Sequence, residues 1–341
     1  MINQVYRLVS PRQFEITYKD KTIASDKLVI RPTHLSICAA DQRYFTGTRG
    51  EEAMKKKLPM SLIHEGVGEV VYDPENILAV GTKVVMVPNN PVEEDLFVAE
   101  NYLRSSKFLS SGYDGFMQDY VFLKRDRLIV LPEDMDMDVA AFTELVTITV
   151  HALKRFENKA IKRRGTFGVW GDGNLGFITT LLLKKLYPEN EVIIFGKTDY
   201  KLNHFSFADK AYKIDEIPDT VQIDHAIECV GGKGSQYAID EIIKCIKPEG
   251  SICLLGVSEH PVEVDTRMVL EKGLTLIGSS RSGAADFQST IDIYKEHPEI
   301  VNYLSALVGN VYDITSIDEA ITAFETDLAN SWGKTIMRWN I

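Results

Sequence analysis

Cysteine is scarce in this chain, with four in 341 residues, at positions 38, 229, 245 and 253. So few, so widely spread, exclude a disulfide framework and fit a reducing, cytoplasmic setting. Basic excess is missing too. The formal net charge is −11, which argues against a general binder of nucleic acid or anionic membrane, since both need cationic surface. No apolar run approaches the length that crosses a bilayer, and no N-terminal segment reads as a secretory leader. Internal repeats and low-complexity linkers are absent as well. What remains is an ordinary globular composition, 45% hydrophobic and 26% charged, long enough for two domains with separate cores.

The most informative stretch runs from Thr166 to Gly176. A short apolar run, Phe167 to Trp170, stops at Gly171, and Gly171, Gly173 and Gly176 follow at G-x-G-x-x-G spacing. A helix-compatible run from Phe177 to Leu186 and a second strand-like run from Val192 to Phe195 complete a strand, glycine turn, helix, strand pattern. That context marks a dinucleotide site. Gly171 permits the tight turn, Gly173 lets the backbone approach a pyrophosphate, and Gly176 lets helix and strand pack closely. Asn174 and Leu175 open the helix, whose free N–H groups face the phosphates.

The second strand ends in Gly196-Lys197-Thr198, with Lys201 close behind, where an NAD site usually places an acid on the ribose. Gly196 makes room for a 2′-phosphate, and Lys197 and Thr198 suit it chemically, so NADP(H) is expected. Asp199 is the one dissenting residue.

Residues 1 to about 140 read as β-rich, with short runs at Lys27–Ile30, Val67–Tyr72, Lys83–Val87 and Gln118–Leu123 and little helical periodicity. Asp138 to Leu153 reads as a helix. Between 166 and about 280 strands alternate with helices, which argues for a parallel, doubly wound sheet. The strand runs are Ile223–Val230, Gly250–Gly256 and Leu274–Ser279, and the helices lie near Gln236–Ile246 and Thr266–Glu271. A helix at Phe287–Glu296 and a tail ending in Lys334–Trp339 follow.

Three pieces of the first half carry side chains suited to zinc: Ser36-Ile-Cys-Ala-Ala-Asp41, Leu62-Ile-His-Glu-Gly-Val-Gly-Glu-Val70, and Thr143-Glu-Leu-Val-Thr-Ile-Thr-Val-His-Ala152. Each alone is weak, because a single Cys, His or Glu is more often structural. Together, and followed by a dinucleotide unit, they resemble the zinc-dependent medium-chain alcohol and polyol dehydrogenases, nearly end to end. The resemblance implies an α/β fold, with a β-rich GroES-like catalytic domain over 1–144, a doubly wound Rossmann domain over 145–281 and a segment over 282–341 returning to the catalytic domain. It also implies a catalytic zinc, with Cys38, His64, Glu65 and Glu144 as the candidate ligands; which of Glu65 and Glu144 binds directly stays open. Tyr44 stands where sorbitol-type enzymes place a pocket tyrosine, and it is expected to bond substrate or zinc-bound water.

Some positions depart from the family pattern. Ile63 stands where Gly is usual, Leu145 where Pro is usual, and Ala40 where a proton-relaying Ser or Thr is usual. No cysteine occurs between Asn89 and Gly115, where many relatives bind a structural zinc, so a single zinc per subunit is expected. Asp41 reads as a residue that orients Cys38 or a neighbouring loop. The other three cysteines read as core, and Lys162-Arg163-Arg164 reads as a solvated loop.

Among relatives the chain looks most like the bacterial ribulose-5-phosphate reductases, which supply ribitol 5-phosphate for wall teichoic acid alongside a cytidylyltransferase. That resemblance implies reduction of a ketose phosphate by NADPH. Cationic candidates for the substrate phosphate are Arg43, Arg49, Lys55-Lys56-Lys57 and Arg281, the last also placed to reach the nicotinamide. By the same analogy the protein is a homodimer or homotetramer. Competing readings are a polyol dehydrogenase for unphosphorylated sugar alcohols, a zinc-free quinone-reductase-like member, and a non-catalytic NADPH-binding structural protein.

Overall fold

The computed structural model describes all 341 residues. It divides into two compact units, one of Met1–Leu145 with Ser282–Ile341 and the other of Val146–Arg281. No helix is long and apolar enough to cross a membrane.

The first unit is built on a seven-stranded sheet. Its main path runs Leu128–Val130, Lys83–Met86, Glu65–Tyr72, Leu28–Ser36, Lys334–Trp339 and Val308–Ile314, with Val121–Leu123 pairing beside Leu28–Ser36. The C-terminal strand lies antiparallel to Leu28–Ser36, with Ile336 opposite Ser36, and on the other side Ser36 lies opposite Glu65. This register brings the chain before Cys38, the start of the Glu65 strand and the start of the Lys334 strand to one end of the sheet. Beneath them Phe45 and Phe324 stack at 4.8 Å within a core that also holds Leu35, Ile63, Phe116 and Trp339.

Two short helices break the β-rich reading of this half, Ala39–Phe45 and Glu51–Lys57. At seven residues each they are too short to show a helical period. The expected helix from 138 to 153 is two helices, Met137–Ala140 and Thr143–Glu157. The tail adds two helices that its mixed composition hid, Glu299–Leu304 and Ile317–Ala329.

The second unit is a six-stranded, wholly parallel sheet in the order Lys210–Lys213, Glu191–Gly196, Thr166–Trp170, Ile223–Glu228, Ile246–Leu254, Thr275–Gly278. Its central strands are apolar on both faces, as a sheet covered by helices on each side requires. The edge strand Lys210–Lys213 is half exposed and lysine-flanked, so it carried no apolar signal. Lys162-Arg163-Arg164 is not simply a solvated loop. Arg163 donates to Asp224 at 2.9 Å and to the Pro248 carbonyl at 2.7 Å, and Arg164 pairs with Glu157. A buried carboxylate on one side and a carbonyl on the other fix what the sequence presented as a free charge run.

Candidate metal and dinucleotide sites

Cys38 ends the stretch after Leu28–Ser36 and caps the helix Ala39–Phe45 with extended backbone, φ −107° and ψ 153°. Asp41, three residues on and completely buried, accepts the Cys38 N–H at 3.3 Å, the Ile63 N–H at 3.0 Å and the Ser110 hydroxyl at 2.7 Å. Its Oδ1 also lies 3.5 Å from His64 Nδ1. One carboxylate thus ties together the Cys segment, the His segment and the loop at Ser110. It turns the imidazole so that Nε2 is the nitrogen left for a ligand.

The donor atoms of Cys38, His64 and Glu65 lie within 4.8 Å of one another. A thiolate, an imidazole and a carboxylate suit zinc, and three such donors leave a coordination position for water or substrate. Glu65 is buried, and its Oε1 receives no hydrogen bond, while Oε2 stands 2.8 Å from Lys334 Nζ. A buried carboxylate oxygen without a donor fits a cation partner. Glu144, on the first turn of Thr143–Glu157, is outside this set of three. Burial pushes its pKa up to about 7, with His64 opposing and Glu65 reinforcing the shift, so it lies within their electrostatic reach.

The electrostatics of the three donors follow from burial and neighbours. Burial and then the Glu65 carboxylate push the Cys38 thiol up. Burial works against charge on His64 as well, but Asp41 outweighs it and raises the imidazole well above its ordinary range. Uptake of a metal by such a site is coupled to proton release. Lys334, read in the sequence only as the start of the terminal run, closes the group: its Nζ donates to the Ile37 carbonyl at 2.7 Å as well as pairing with Glu65. Nothing in the local sequence signals it, because the C-terminal strand reaches the site only through sheet register.

Tyr44 is buried, and its hydroxyl accepts a hydrogen bond from Lys57 Nζ at 2.8 Å. Lys57 also donates to Ser111 at 3.0 Å, and the Arg49 guanidinium lies 4.8 Å from the Tyr44 ring centre. The three lysines of the run therefore differ. Lys55 pairs with Glu51 on the outer surface, Lys56 is exposed, and Lys57 turns inward. Arg43 lies in the last turn of the Tyr44 helix and is half buried.

In the second unit the glycine turn borders a cleft of about 550 Å³ lined by Gly171, Asp172, Gly173, Gly196, Lys197, Lys201 and Tyr237 among others. Gly171 has φ +121°, and a Cβ on Gly176 would stand 1.7 Å from the Gly171 carbonyl oxygen, so neither position accepts a side chain. Gly173 caps the helix Asn174–Leu186, which begins with Asn174 and Leu175. Trp170 stacks on Phe195 at 3.9 Å beside this cleft. Thr198 precedes the short helix Asp199–Leu202, and Asp199 pairs with Lys213 at 3.9 Å. Neither Thr198 nor Asp199 lines the cleft, whereas Lys197 and Lys201 do. Arg281 holds a left-handed backbone, φ 59°, at the last position of the second unit and is half buried. Buried Glu228, which the sequence reading passed over, accepts the N–H groups of Val230, Gly231 and Gly256 at 2.9 to 3.1 Å and so joins two loops at the ends of parallel strands.

Comparison with known proteins agrees with this architecture. Residues 24–133 match the alcohol dehydrogenase GroES-like domain, and residues 137–331 match the glucose dehydrogenase C-terminus. The chain is 66% identical over 341 residues to a ribulose-5-phosphate reductase of Bacillus spizizenii, covering all of both chains. It is 60% identical over 339 residues to ribulose-5-phosphate reductase 1 of Staphylococcus aureus, covering 99% of each. It also superposes on the crystal structure of S. aureus TarJ in complex with NADPH with a TM-score of 0.90, at 56% identity and full coverage of both. The chain therefore belongs to the zinc-dependent medium-chain alcohol and polyol dehydrogenase family, in the branch of the ribulose-5-phosphate reductases.

Proposed function

We propose that this protein reduces D-ribulose 5-phosphate to D-ribitol 5-phosphate with NADPH, in a cytoplasmic pathway feeding teichoic acid synthesis. The observation that carries the reading is the gathering of Cys38, His64 and Glu65 within 4.8 Å, in a chain 66% identical to a ribulose-5-phosphate reductase end to end. Cys38, His64 and Glu65 hold one zinc, with Glu144 as an alternative carboxylate, and no second, structural zinc is bound. When present, the metal and the nicotinamide supply Lewis acidity at the ketone oxygen and hydride for the ketone carbon.

The protein's own groups do the rest. Asp41 fixes the His64 ring, and Lys334 holds Glu65 Oε2. Tyr44, whose hydroxyl oxygen is already occupied by Lys57, keeps its own O–H proton to donate toward substrate. Arg43 and Arg281 are the proposed anchors for the substrate phosphate, with Arg49 and Lys57 adding positive charge around Tyr44. Gly171, Gly173, Asn174, Leu175 and Gly176 receive the pyrophosphate, Lys197, Thr198 and Lys201 the adenosine 2′-phosphate, and Arg281 reaches the nicotinamide. The working form is a homo-oligomer, and the product passes to a cytidylyltransferase.

The test is NADPH consumption followed by its absorbance, with ribulose 5-phosphate, free ribulose and sorbitol as alternative substrates and with a zinc chelator added. Turnover of the phosphorylated ketose that stops on chelation is expected. Preference for an unphosphorylated substrate, or indifference to chelation, sinks the proposal.

A further inference from the structure

Within the cofactor cleft one carboxylate runs against expectation. A carboxylate beside the adenosine ribose is the device by which NAD enzymes reject a 2′-phosphate. The strand Glu191–Gly196 ends without one, yet Asp172, between Gly171 and Gly173, lines the same cleft as Gly196, Lys197 and Lys201.

The geometry explains how an acid can stand there. Asp172 Oδ2 accepts the N–H of Lys197 at 2.7 Å and the N–H of Thr198 at 3.1 Å, with the Thr198 hydroxyl at 3.5 Å. The partners are 25 and 26 residues downstream, so these bonds tie the glycine turn to the turn after the second strand. The two turns approach closely. A Cβ added at Gly196 would lie 2.7 Å from Asp172 Cβ and 2.6 Å from Leu202 Cδ2. Gly196 is thus required by Asp172 and Leu202, and the room it leaves is already filled by protein. Both ammonium groups near this turn, on Lys197 and Lys201, remain available, since the adjacent acid Asp199 pairs with Lys213 instead. One carboxylate oxygen directed at main-chain donors therefore lines the same cleft as two lysines.

We infer that Asp172 is a positioning residue for the cofactor's 2′-phosphate, holding the Lys197–Thr198 turn against the glycine turn so that Lys197 and Lys201 present their charge to that phosphate. This rests on the NADPH reading above. Asp172 Oδ2 is directed at two backbone donors in charge-assisted hydrogen bonds, so the carboxylate serves the phosphate through the turn that it holds. The distinction from the NAD arrangement is one of direction: an acid facing the ribose excludes the phosphate, and an acid facing the backbone builds its cradle.

The experiment is calorimetric titration of the zinc-loaded, full-length protein with 2′,5′-ADP and with 5′-ADP, for the wild type, Asp172→Ala and Asp172→Asn. The wild type prefers 2′,5′-ADP. Asp172→Ala loses about tenfold of that preference, the scale of one hydrogen bond to a charged group. Asp172→Asn, whose amide oxygen accepts the same two N–H groups, keeps the preference within about threefold. Hydrogen exchange supplies a second readout, with the Lys197 and Thr198 amides protected in the wild type and Asp172→Asn and unprotected in Asp172→Ala. Equal weakening of both ligands in Asp172→Ala means general damage and overturns the inference. A preference that rises in either variant means that the carboxylate repels the phosphate, which also overturns it. Should Asp172→Ala fail to fold, Asp172→Asn alone decides between a steady and a rising preference. A wild type that binds the two ligands equally removes the NADPH reading itself, a failure distinguished by appearing without any substitution.

Discussion

Lys334 Nζ lies 2.8 Å from Glu65 Oε2, with the lysine 4% exposed and the glutamate completely buried. Burial works against the ammonium, yet Glu65 and Cys38 outweigh it and hold its pKa above the ordinary lysine value. Removing one member of such a pair leaves an uncompensated buried charge, at a cost of about 3–5 kcal/mol. Lys334→Met is therefore expected to destabilise the zinc-free protein by that amount. On the proposed function zinc is a second cationic partner for Glu65, so the loss should be visibly smaller in zinc-saturated protein. Urea unfolding with and without zinc measures both, and an equal loss in the two states would show that Glu65 and the metal do not communicate.

Asp41 is the hub that orients His64 while accepting hydrogen bonds from Cys38, Ile63 and Ser110. Partners that fix a ligating histidine contribute about 10–100-fold in metal affinity. Asp41→Asn should weaken zinc retention by that factor, read by competition with a chromophoric chelator, while Cys38→Ala should abolish stoichiometric zinc altogether. If Asp41→Asn bound zinc as tightly as the wild type, the imidazole would be held by something other than this carboxylate.

The second unit was legible because both its signals are local. Three glycines at fixed spacing and strands that are apolar on both faces need no knowledge of distant chain. Cys38, His64 and Glu65 were legible for a different reason, since their residue types are chemically suited to zinc and resemble a family motif. What the sequence concealed depends on register or on short range. Lys334 reaches the site because Ile336 pairs with Ser36 across the sheet, a relation between residues 300 positions apart. The helix carrying Tyr44 is too short for periodicity, and the inward turn of Lys57 distinguishes it from two identical neighbours only through Tyr44 and Ser111. Asp172 was hidden inside a motif read for its glycines.

Ile63 holds φ +69° while completely buried, a left-handed conformation that strains a β-branched residue. A glycine, which the family resemblance leads one to expect at this position, would hold that angle without strain. The cost of a left-handed L-residue is about 1–2 kcal/mol, offset here by packing of the isoleucine side chain. Both Ile63→Ala and Ile63→Gly empty that space, but only glycine also relieves the backbone. Ile63→Gly is therefore expected to be the more stable of the two by about 1 kcal/mol, the reverse of the usual order at ordinary backbone angles. Chemical denaturation of the two variants side by side gives the answer, and a glycine variant weaker than the alanine one would mean that the left-handed angle carries no strain.

Asp224 is 2% exposed and accepts the N–H groups of Gly165 and Thr166 at 2.8 and 3.0 Å, together with Arg163 and Lys247 at 2.9 Å each. Burial alone would raise its pKa, but the Lys247 ammonium and the two backbone donors outweigh it and hold the carboxyl below its ordinary value. A carboxylate with a lowered folded pKa contributes stability that is fully present above its unfolded value, about 3.9, and is lost as pH falls through the folded value. Asp224→Asn removes that contribution. The variant should be less stable than the wild type at pH 7 by about 1–3 kcal/mol, since a charge-assisted acceptor is replaced by a neutral one. The gap should then narrow below about pH 4, as the wild-type carboxyl takes up its proton and becomes neutral too. Urea unfolding of both proteins from pH 7 down to the acid limit of the native state tests this, and a gap that stays constant with pH would assign the stabilisation to shape rather than to charge.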